Sequence, residues 1–282
     1  YQLAIEIMEF CKSKKKSLVV EDLNFKQLKT RMLYRPKKQN KALSSFAYKK
    51  ILEKVERKCL MNEVDLVADG LKAMQDVVDI DVTVKHRIGV DKQTDYQIVA
   101  DFVGTLREKT ACRTFIVHAR NAWLDGLSPK ENREIPPLKY DYVYRLKQEF
   151  ADLEIIINGG IKTNEEIAEH LNHVDGVMIG RECYHNPMIM REWDQLFYGD
   201  NQAPIEYETL VARLQDYAAA QLAAGRGTIL RHMARHYLGL MHGLKGARQW
   251  RRMLSDAELL KFNRPELIAE AWVEVAKANH FE

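Results

Sequence analysis

Four short apolar runs in the middle of the chain each end in residues that could hold a negatively charged ligand. The runs end at Lys85, at His118, at the Asn158-Gly159-Gly160 turn and at the Gly180-Arg181 pair. Glycine lets the backbone approach a ligand closely, and exposed backbone N–H groups can bind a phosphate. Lysine and arginine add positive charge. These residue types therefore predict a binding site for a phosphate-bearing ligand.

Each of these signals also has an ordinary structural explanation. Two glycines after a strand usually form a turn, and a histidine at a strand end is usually a hydrogen-bonded structural residue. Lys85 alone could be a salt-bridge partner. Four such signals on four successive strands favour a cofactor, and an FMN phosphate would suit Arg181 and the glycine amides. Lys85 could then stabilise negative charge on the pyrimidine edge of a reduced flavin.

The elements that must position these residues alternate between strands and helices. The hydrophobic pattern predicts strands over 81–85, 114–118, 155–158 and 176–180, and helices over 62–78, 95–108, 139–150 and 163–172. Strands that alternate with helices imply parallel pairing and right-handed crossovers. In such sheets, functional residues gather at the carboxyl ends of the strands.

The pattern predicts an α/β fold for the middle of the chain and a small all-α region after it. Four βα units are too few to close an eight-stranded barrel. Two interpretations stay open: a partial (β/α)8 TIM barrel, or an open sheet joined by a further strand at 17–21. We predict a basic segment over 1–58, a βα region over 59–204 and a helical domain over 205–282.

Charge is distributed unevenly along the chain. Residues 1–59 hold 16 Lys and Arg against 6 Asp and Glu, whereas the remaining residues hold 27 against 34. Such a shift suggests segments with different partners. No apolar run approaches about 18 residues, so no membrane span is expected. The four cysteines form no close pair, which disfavours a zinc knuckle or a disulfide framework and favours the reduced cytoplasm.

The C-terminal part carries a separate signal for a nucleic-acid partner. Residues 217–255 contain no Asp or Glu, although His232, His236, Tyr237 and Trp250 lie among several cations. Cations contact phosphates, and aromatic or guanidinium planes stack on unpaired bases. A solvated helix face is the alternative interpretation. The cations are Arg226, Arg231, Arg235, Lys245, Arg248, Arg251 and Arg252.

Four motifs closely resemble the tRNA-dihydrouridine synthases. They span 82–89 (VTVKHRIG), 118–137 (HARNAWLDGLSPKENREIPP), 157–161 (INGGI) and 176–181 (GVMIGR). The longest one points to the bacterial A-type enzymes, and the resemblance runs from Cys59 to near the end of the chain. It implies a (β/α)8 barrel that binds FMN and a helical tRNA-binding domain behind it.

The resemblance also implies residue roles and a reaction. A nicotinamide cofactor such as NADPH reduces the flavin, the flavin passes hydride to C6 of a uracil, and a cysteine protonates C5. The target base is flipped out, because the flavin cannot reach a stacked one. The implied tRNA contacts are Lys130, Arg133, Arg248 and Arg251. The implied FMN-binding residues are Lys85, His118, Asn158, Gly159, Gly160, Gly180 and Arg181.

The chain departs from the family pattern in its first fifth. The Asn-x-Gly-Cys-Pro loop with the proton-donating cysteine is not found, and Cys59, Cys112 and Cys183 do not match it. No catalytic residue is therefore assigned. Residues 17–58 instead resemble the RuvC-like region of OrfB-type insertion-sequence transposases, in which Glu21 would be one of three metal-binding carboxylates. The other two are not recognisable, so Glu21 is better explained as a solvated strand end.

Three functional interpretations follow. The first is a flavin-dependent reductase of tRNA uridines whose activity is lost or low in this form. The second is an RNA-binding remnant without redox chemistry, and the third is a transposase-derived fragment. Half a barrel would also leave open sheet edges and an uncovered apolar face, which predicts self-association.

Overall fold

The computed structural model describes residues 63–281 except residues 92, 94 and 125. The predicted strand at 17–21, Glu21, the helix predicted from 44 to 58 and Cys59 lie outside the described residues. The chain divides into two compact units. One contains the described residues up to Gly160 together with His170–Met178, and the other contains Ile161–Glu169 and the described residues from Ile179 onward. The boundaries predicted at 58/59 and 204/205 stay predictions.

The first unit is built on a parallel sheet of four strands in the order β1-β2-β3-β4. This arrangement confirms the α/β class and fits a partial TIM barrel. The sheet strands are β1 (Val84–Arg87), β2 (Thr114–His118), β3 (Glu154–Asn158) and β4 (Gly176–Met178). One helix precedes each strand in the chain: α1 (Val64–Gln75), α2 (Tyr96–Lys109), α3 (Tyr140–Glu149) and α4 (Asn164–Leu171), with a 3₁₀ turn at Glu131–Arg133 before α3. Helix α4 crosses the division between the two units.

The register of the sheet separates a buried face from a polar one. Side chains alternate along each strand, so residues paired across parallel strands share a face. The side chains on one face are buried. They are Val84, His86, Phe115, Val117, Ile155 and Ile157. On the other face, Lys85 pairs with Ile116, Ile116 pairs with Ile156, and Ile156 pairs with Gly176, so these four residues form one row across the sheet. The next row toward the carboxyl end on that face is Arg87, His118, Asn158 and Met178.

The helices of the first unit cover its buried face with apolar side chains at helical spacing. Helix α2 begins where the Asp95 carboxylate accepts from the N–H of Gln97 at 2.9 Å, which satisfies one free donor of the first turn. Val99, Val103 and Leu106 on this helix are fully buried. Burial of one such side chain stabilises the fold by roughly 1.5–3 kcal/mol.

The first strand lies later in the chain than its pattern predicted. We expected it over 81–85, but the strand is Val84–Arg87, so Lys85 is its second residue and not its last. Val82 and Val84 fit the same alternation, and only the pairing of Val84 with Phe115 decides where the ladder begins. The fourth strand is shorter than predicted and ends at Met178.

In the second unit, the described residues from Ile179 onward form helices and no strand, as predicted for 206–281. Its apolar core surrounds Trp250, which is fully buried and donates from Nε1 to the carbonyl of Tyr237 at 2.9 Å. No helix within the described part of the chain is long and apolar enough to cross a membrane. The helices are α5 (Arg181–His185), α6 (Trp193–Tyr198), α7 (Tyr207–Ala223), α8 (Leu230–Ala234), α9 (Ala247–Met253), α10 (Ala257–Leu260) and α11 (Leu267–Asn279), with a 3₁₀ segment at Pro187–Glu192.

Candidate functional site

The Lys85 ammonium group is fixed at the polar face of the sheet. Its Nζ donates a hydrogen bond of 3.0 Å to Oδ1 of Asn158, two strands away. The side chain is exposed, yet the protein atoms around the ammonium and the nearby Arg87 guanidinium lower the pKa of Lys85 from its usual value. Lys85 therefore places a positive charge beside the end of β3.

Asn158 connects the strands on both sides of it. While its Oδ1 accepts from Lys85, its Nδ2 donates to the carbonyl of Met178 at 2.7 Å. The backbone carbonyl of Asn158 accepts from the N–H of Ala119 at 2.9 Å. Because one end of the amide faces a donor and the other an acceptor, its orientation is unambiguous. Asn158 thus orders the carboxyl end of the sheet from β1 to β4.

The turn after Asn158 has a conformation that only glycine adopts readily. Gly159 has a φ of 124° and Gly160 a φ of 76°. Among the described residues, no protein group accepts from the N–H of Gly159 or Gly160. Two unpaired backbone donors next to a lysine are a suitable binding site for an anion. The phosphate-binding role of this turn stays a prediction.

His118 packs against the same turn. It is the last residue of β2 and pairs with Asn158 in the register of the sheet. A Cβ atom added to Gly159 would lie 2.7 Å from Cδ2 of the His118 ring. The structure thus brings together Lys85, His118, Asn158, Gly159 and Gly160, five of the seven predicted cofactor-binding residues.

Gly180 and Arg181 belong to the second unit, so their predicted role stays a prediction. Gly180 has a φ of −118°, which any residue adopts, and its carbonyl accepts from the N–H of Tyr184 at 3.3 Å. Open space surrounds the position where its Cβ would be. Arg181 begins the short helix α5. Neither the backbone conformation nor a close contact therefore requires glycine at position 180 in the described residues.

The predicted tRNA contacts are all exposed. Lys130 and Arg133 lie in the connection between β2 and α3 of the first unit. Arg248 and Arg251 are exposed residues of α9 in the second unit. All four residues thus have solvent-exposed side chains, and their role as tRNA contacts stays a prediction.

Neither described cysteine has the properties of an activated thiol. Cys112 is buried two residues before β2, at the end of the strand opposite to His118, and burial raises its thiol pKa. Cys183 lies on α5, and burial raises its thiol pKa as well. That neither residue is the proton donor of the family stays a prediction.

Sequence reasoning missed two residues near the turn. The Arg87 guanidinium donates to the backbone carbonyls of Asn121 and Asn132 at 2.8 and 3.0 Å, which ties the connection after β2 to β1. The Tyr140 hydroxyl donates to the carbonyl of Gly159 at 2.7 Å. Arg87 lies in a motif that was recognised, but nothing in the sequence distinguishes Tyr140 from the other tyrosines of α3.

A four-stranded parallel sheet alternating with helices, with Lys85, His118 and the glycine turn toward its carboxyl end, defines an α/β protein. Comparison with known proteins specifies the family. The family model for dihydrouridine synthases matches residues 49–276, so the chain belongs to the dihydrouridine synthase family. This confirms the resemblance inferred from the motifs, and the match begins earlier than the predicted start at Cys59.

Individual relatives are similar over 70% or more of the chain. The tRNA-dihydrouridine(20/20a) synthase of Haemophilus ducreyi is 54% identical over 198 residues, which are 70% of this chain and 60% of the relative. The Vibrio parahaemolyticus protein of that name is 48% identical over 78% of this chain and 67% of its own length. The Escherichia coli K12 protein of that name is 52% identical over 70% and 57%. The chain therefore spans about three fifths of the length of these relatives.

Proposed function

We propose that the chain binds FMN and acts on uridines in tRNA as a flavin-dependent tRNA-dihydrouridine synthase with NADPH as reductant. The single observation that carries this proposal is the cluster of Lys85, Asn158 and the unpaired amides of Gly159 and Gly160. The family match and the relatives named for this activity on tRNA support it. When bound, the flavin would carry electrons from the nicotinamide to the C5–C6 double bond of uracil.

The residues at the end of the sheet fit this cofactor. The amides of Gly159 and Gly160 would hold the phosphate, because they are donors without a protein acceptor in the described part of the chain. The Lys85 ammonium would stabilise negative charge on the pyrimidine edge of the isoalloxazine. Asn158 would keep Lys85 in place through the 3.0 Å hydrogen bond.

We propose that turnover by this chain is far slower than that of a synthase with the Cys loop. The two described cysteines have raised thiol pKa values, and Cys112 lies at the wrong end of the strands. With neither described cysteine positioned as the acid at C5, the described residues supply no general catalyst for that proton transfer, which costs roughly 10²–10⁴-fold in rate. A dihydrouridine assay on unmodified tRNA measures this. Turnover at a rate typical of enzymes, near 10 s⁻¹, would show that another group donates the proton.

Flavin binding tests the cofactor directly. The purified chain should show flavin absorption and bind added FMN, and Lys85→Met should weaken binding about tenfold because a charged contact is removed. Lys72→Met is the matched control, because Lys72 is an exposed lysine on α1 away from the sheet. Titration with FMN, followed by quenching of flavin fluorescence, measures both variants. A wild-type chain that binds no FMN would contradict the proposal and leave RNA binding as the remaining function.

The proposed tRNA partner is supported by the exposed cations of α9. Replacing both Arg248 and Arg251 by alanine should weaken tRNA binding and reduce the slope of log K against log salt by about 1–2, since each phosphate contact releases counterions. Lys277→Ala is the control, because Lys277 pairs with Glu274 at 3.5 Å on another helix of the same unit. If the slope of log K against log salt were unchanged in the double variant, Arg248 and Arg251 of α9 would not contact the tRNA. A tRNA substrate also implies a cytoplasmic location.

We further propose that the chain self-associates through its first sheet edge. In the described residues, β1 pairs with β2 alone, and Val77 and Ile80 just before it are 78% and 77% exposed. An unpaired strand edge beside exposed apolar side chains favours pairing with another chain. Sedimentation velocity at increasing concentration should show species larger than 32.8 kDa. A single monomeric species over the whole range would reject this proposal.

A further inference from the structure

The carbonyl of Gly159 accepts a hydrogen bond from a side chain of α3, the helix that precedes β3 in the chain. Tyr140, the first residue of α3, donates from its hydroxyl to this carbonyl at 2.7 Å. The same oxygen would be 3.2 Å from a Cβ added to Gly160, so the tyrosine lies against both residues of the turn. Tyr140 therefore contacts the turn on the side of its carbonyl.

This hydrogen bond fixes which way the neighbouring amide points. The Gly159–Gly160 peptide is trans, so its N–H is directed opposite to its C=O. A carbonyl that faces Tyr140 therefore directs the N–H of Gly160 away from Tyr140. Between two glycines the peptide plane can rotate with little steric resistance, because neither residue has a Cβ. The Tyr140 hydroxyl selects one orientation of an otherwise adaptable turn.

The tyrosine ring is itself held by packing. It lies edge-on to His170, with 4.5 Å between the ring centroids and an angle of 68°. His170 is buried, and its Nδ1 shares a hydrogen bond of 2.7 Å with the hydroxyl of Tyr144. The start of α3 is tied to the end of β2, because the N–H of Lys139 donates to the carbonyl of Ala119 at 2.8 Å. The ring position thus depends on these contacts and not on the hydroxyl alone.

We propose that Tyr140 is a positioning residue for phosphate binding, which orients the Gly160 N–H toward the phosphate of the cofactor. This inference rests on the proposed function, because it assumes that the turn holds the FMN phosphate. Tyr140 makes no contact with the phosphate in this role and acts only through the Gly159–Gly160 peptide. Its effect should therefore appear in the binding of the phosphate and not in that of the flavin ring.

The test compares FMN with riboflavin, which has the same ring and no phosphate. Tyr140→Phe should weaken FMN binding about tenfold, the effect of losing one hydrogen bond that orders a binding group, and leave riboflavin binding within about twofold. Tyr142→Phe is the matched control on the same helix, since its hydroxyl accepts from Lys139 at 3.3 Å and the substitution is the same. Fluorescence titration of the wild type and both variants gives, for each variant and each ligand, the ratio of its dissociation constant to that of the wild type.

The possible outcomes separate the inference from the proposed function. Selective loss of FMN affinity in Tyr140→Phe supports the inference. Equal loss for FMN and riboflavin would show a merely structural role and overturn it, and so would unchanged FMN binding. A wild-type chain that binds both ligands equally would show that the turn holds no phosphate, while flavin binding itself would stand. A wild-type chain that binds neither would reject the proposed function together with the inference.

Discussion

The Gly159→Ala variant is expected to lose about 3 kcal/mol of folding free energy, and its FMN affinity with it. The φ of Gly159 is 124°, well outside the region that residues with a Cβ adopt. The added Cβ would also lie 2.7 Å from Cδ2 of His118 and 3.2 Å from Cδ2 of Leu138. The His118 backbone is held in the register of the sheet, so its ring can move only by leaving its contact with the turn.

A second glycine separates the two contributions to this loss. Gly199 has a φ of 69°, but no atom lies within 4 Å of the position of an added Cβ. Gly199→Ala should therefore cost only about 1 kcal/mol, the strain of the left-handed backbone alone. Urea denaturation of the two variants beside the wild type measures both effects. Equal losses of unfolding free energy would mean that the His118 ring moves away from the added Cβ at no cost. The turn would then be less constrained than we conclude.

The second large effect concerns the dependence of stability on pH through His86. This residue is 5% exposed on the helix-covered face of β1, with its ring centroid 5.0 Å from that of Phe102 and 6.1 Å from that of Phe115. Its Nδ1 lies 2.9 Å from the carbonyl of Arg87, and its Nε2 has no partner among the described residues. Burial lowers the pKa of His86 to about 4, and the Arg87 carbonyl opposes this only in part.

The direction of the effect follows from proton binding in the two states. Above about pH 6.5, His86 is neutral in both the folded and the unfolded chain and contributes no pH dependence. Between about pH 6.5 and 4, the unfolded chain binds a proton at this residue whereas the folded chain does not. The free energy of unfolding should therefore fall as the pH falls through this window, by about 3 kcal/mol in total from this group.

Variants at two histidines isolate this contribution from that of the carboxylates. His86→Gln cannot titrate, so its stability should decrease less between about pH 7 and 4 than that of the wild type. His242→Gln is the control, because it makes the same substitution at an exposed histidine. Urea denaturation at several pH values gives the slopes. Parallel curves for His86→Gln and the wild type would show that His86 is protonated in the folded chain or is not buried.

Much of the fold could be predicted because its signals are local. The run Thr114–His118 and the run that ends at Asn158 are short, apolar and bounded by polar residues, and both are strands where they were expected. The ends of β1 could not be predicted, since they depend on pairing with β2, about 30 residues later. A pattern within one segment carries no information about where its partner begins to pair.

The candidate site was predictable to the extent that its residues stand at strand ends. Asn158 and the two glycines predict a turn, and the topology of a parallel sheet places them beside His118. Tyr140 was not predictable, because its importance comes from one contact to a carbonyl 19 residues away. A tyrosine in the first turn of an amphipathic helix has no feature that distinguishes a structural ring from one that orients a peptide plane.

The order of the strands has a consequence for how a gene of this architecture can be cut. Each strand pairs with the one that precedes it in the chain, in the order β1-β2-β3-β4. A recombination point before β1 would remove only the pairing of β1 with any earlier strand. The pairings among β1, β2, β3 and β4 would be kept. In a doubly wound sheet, where early strands lie in the centre, the same cut would remove the middle of the structure. Because neighbours in the sheet are also neighbours in the chain, a genetic rearrangement between two βα units disrupts only one strand pairing.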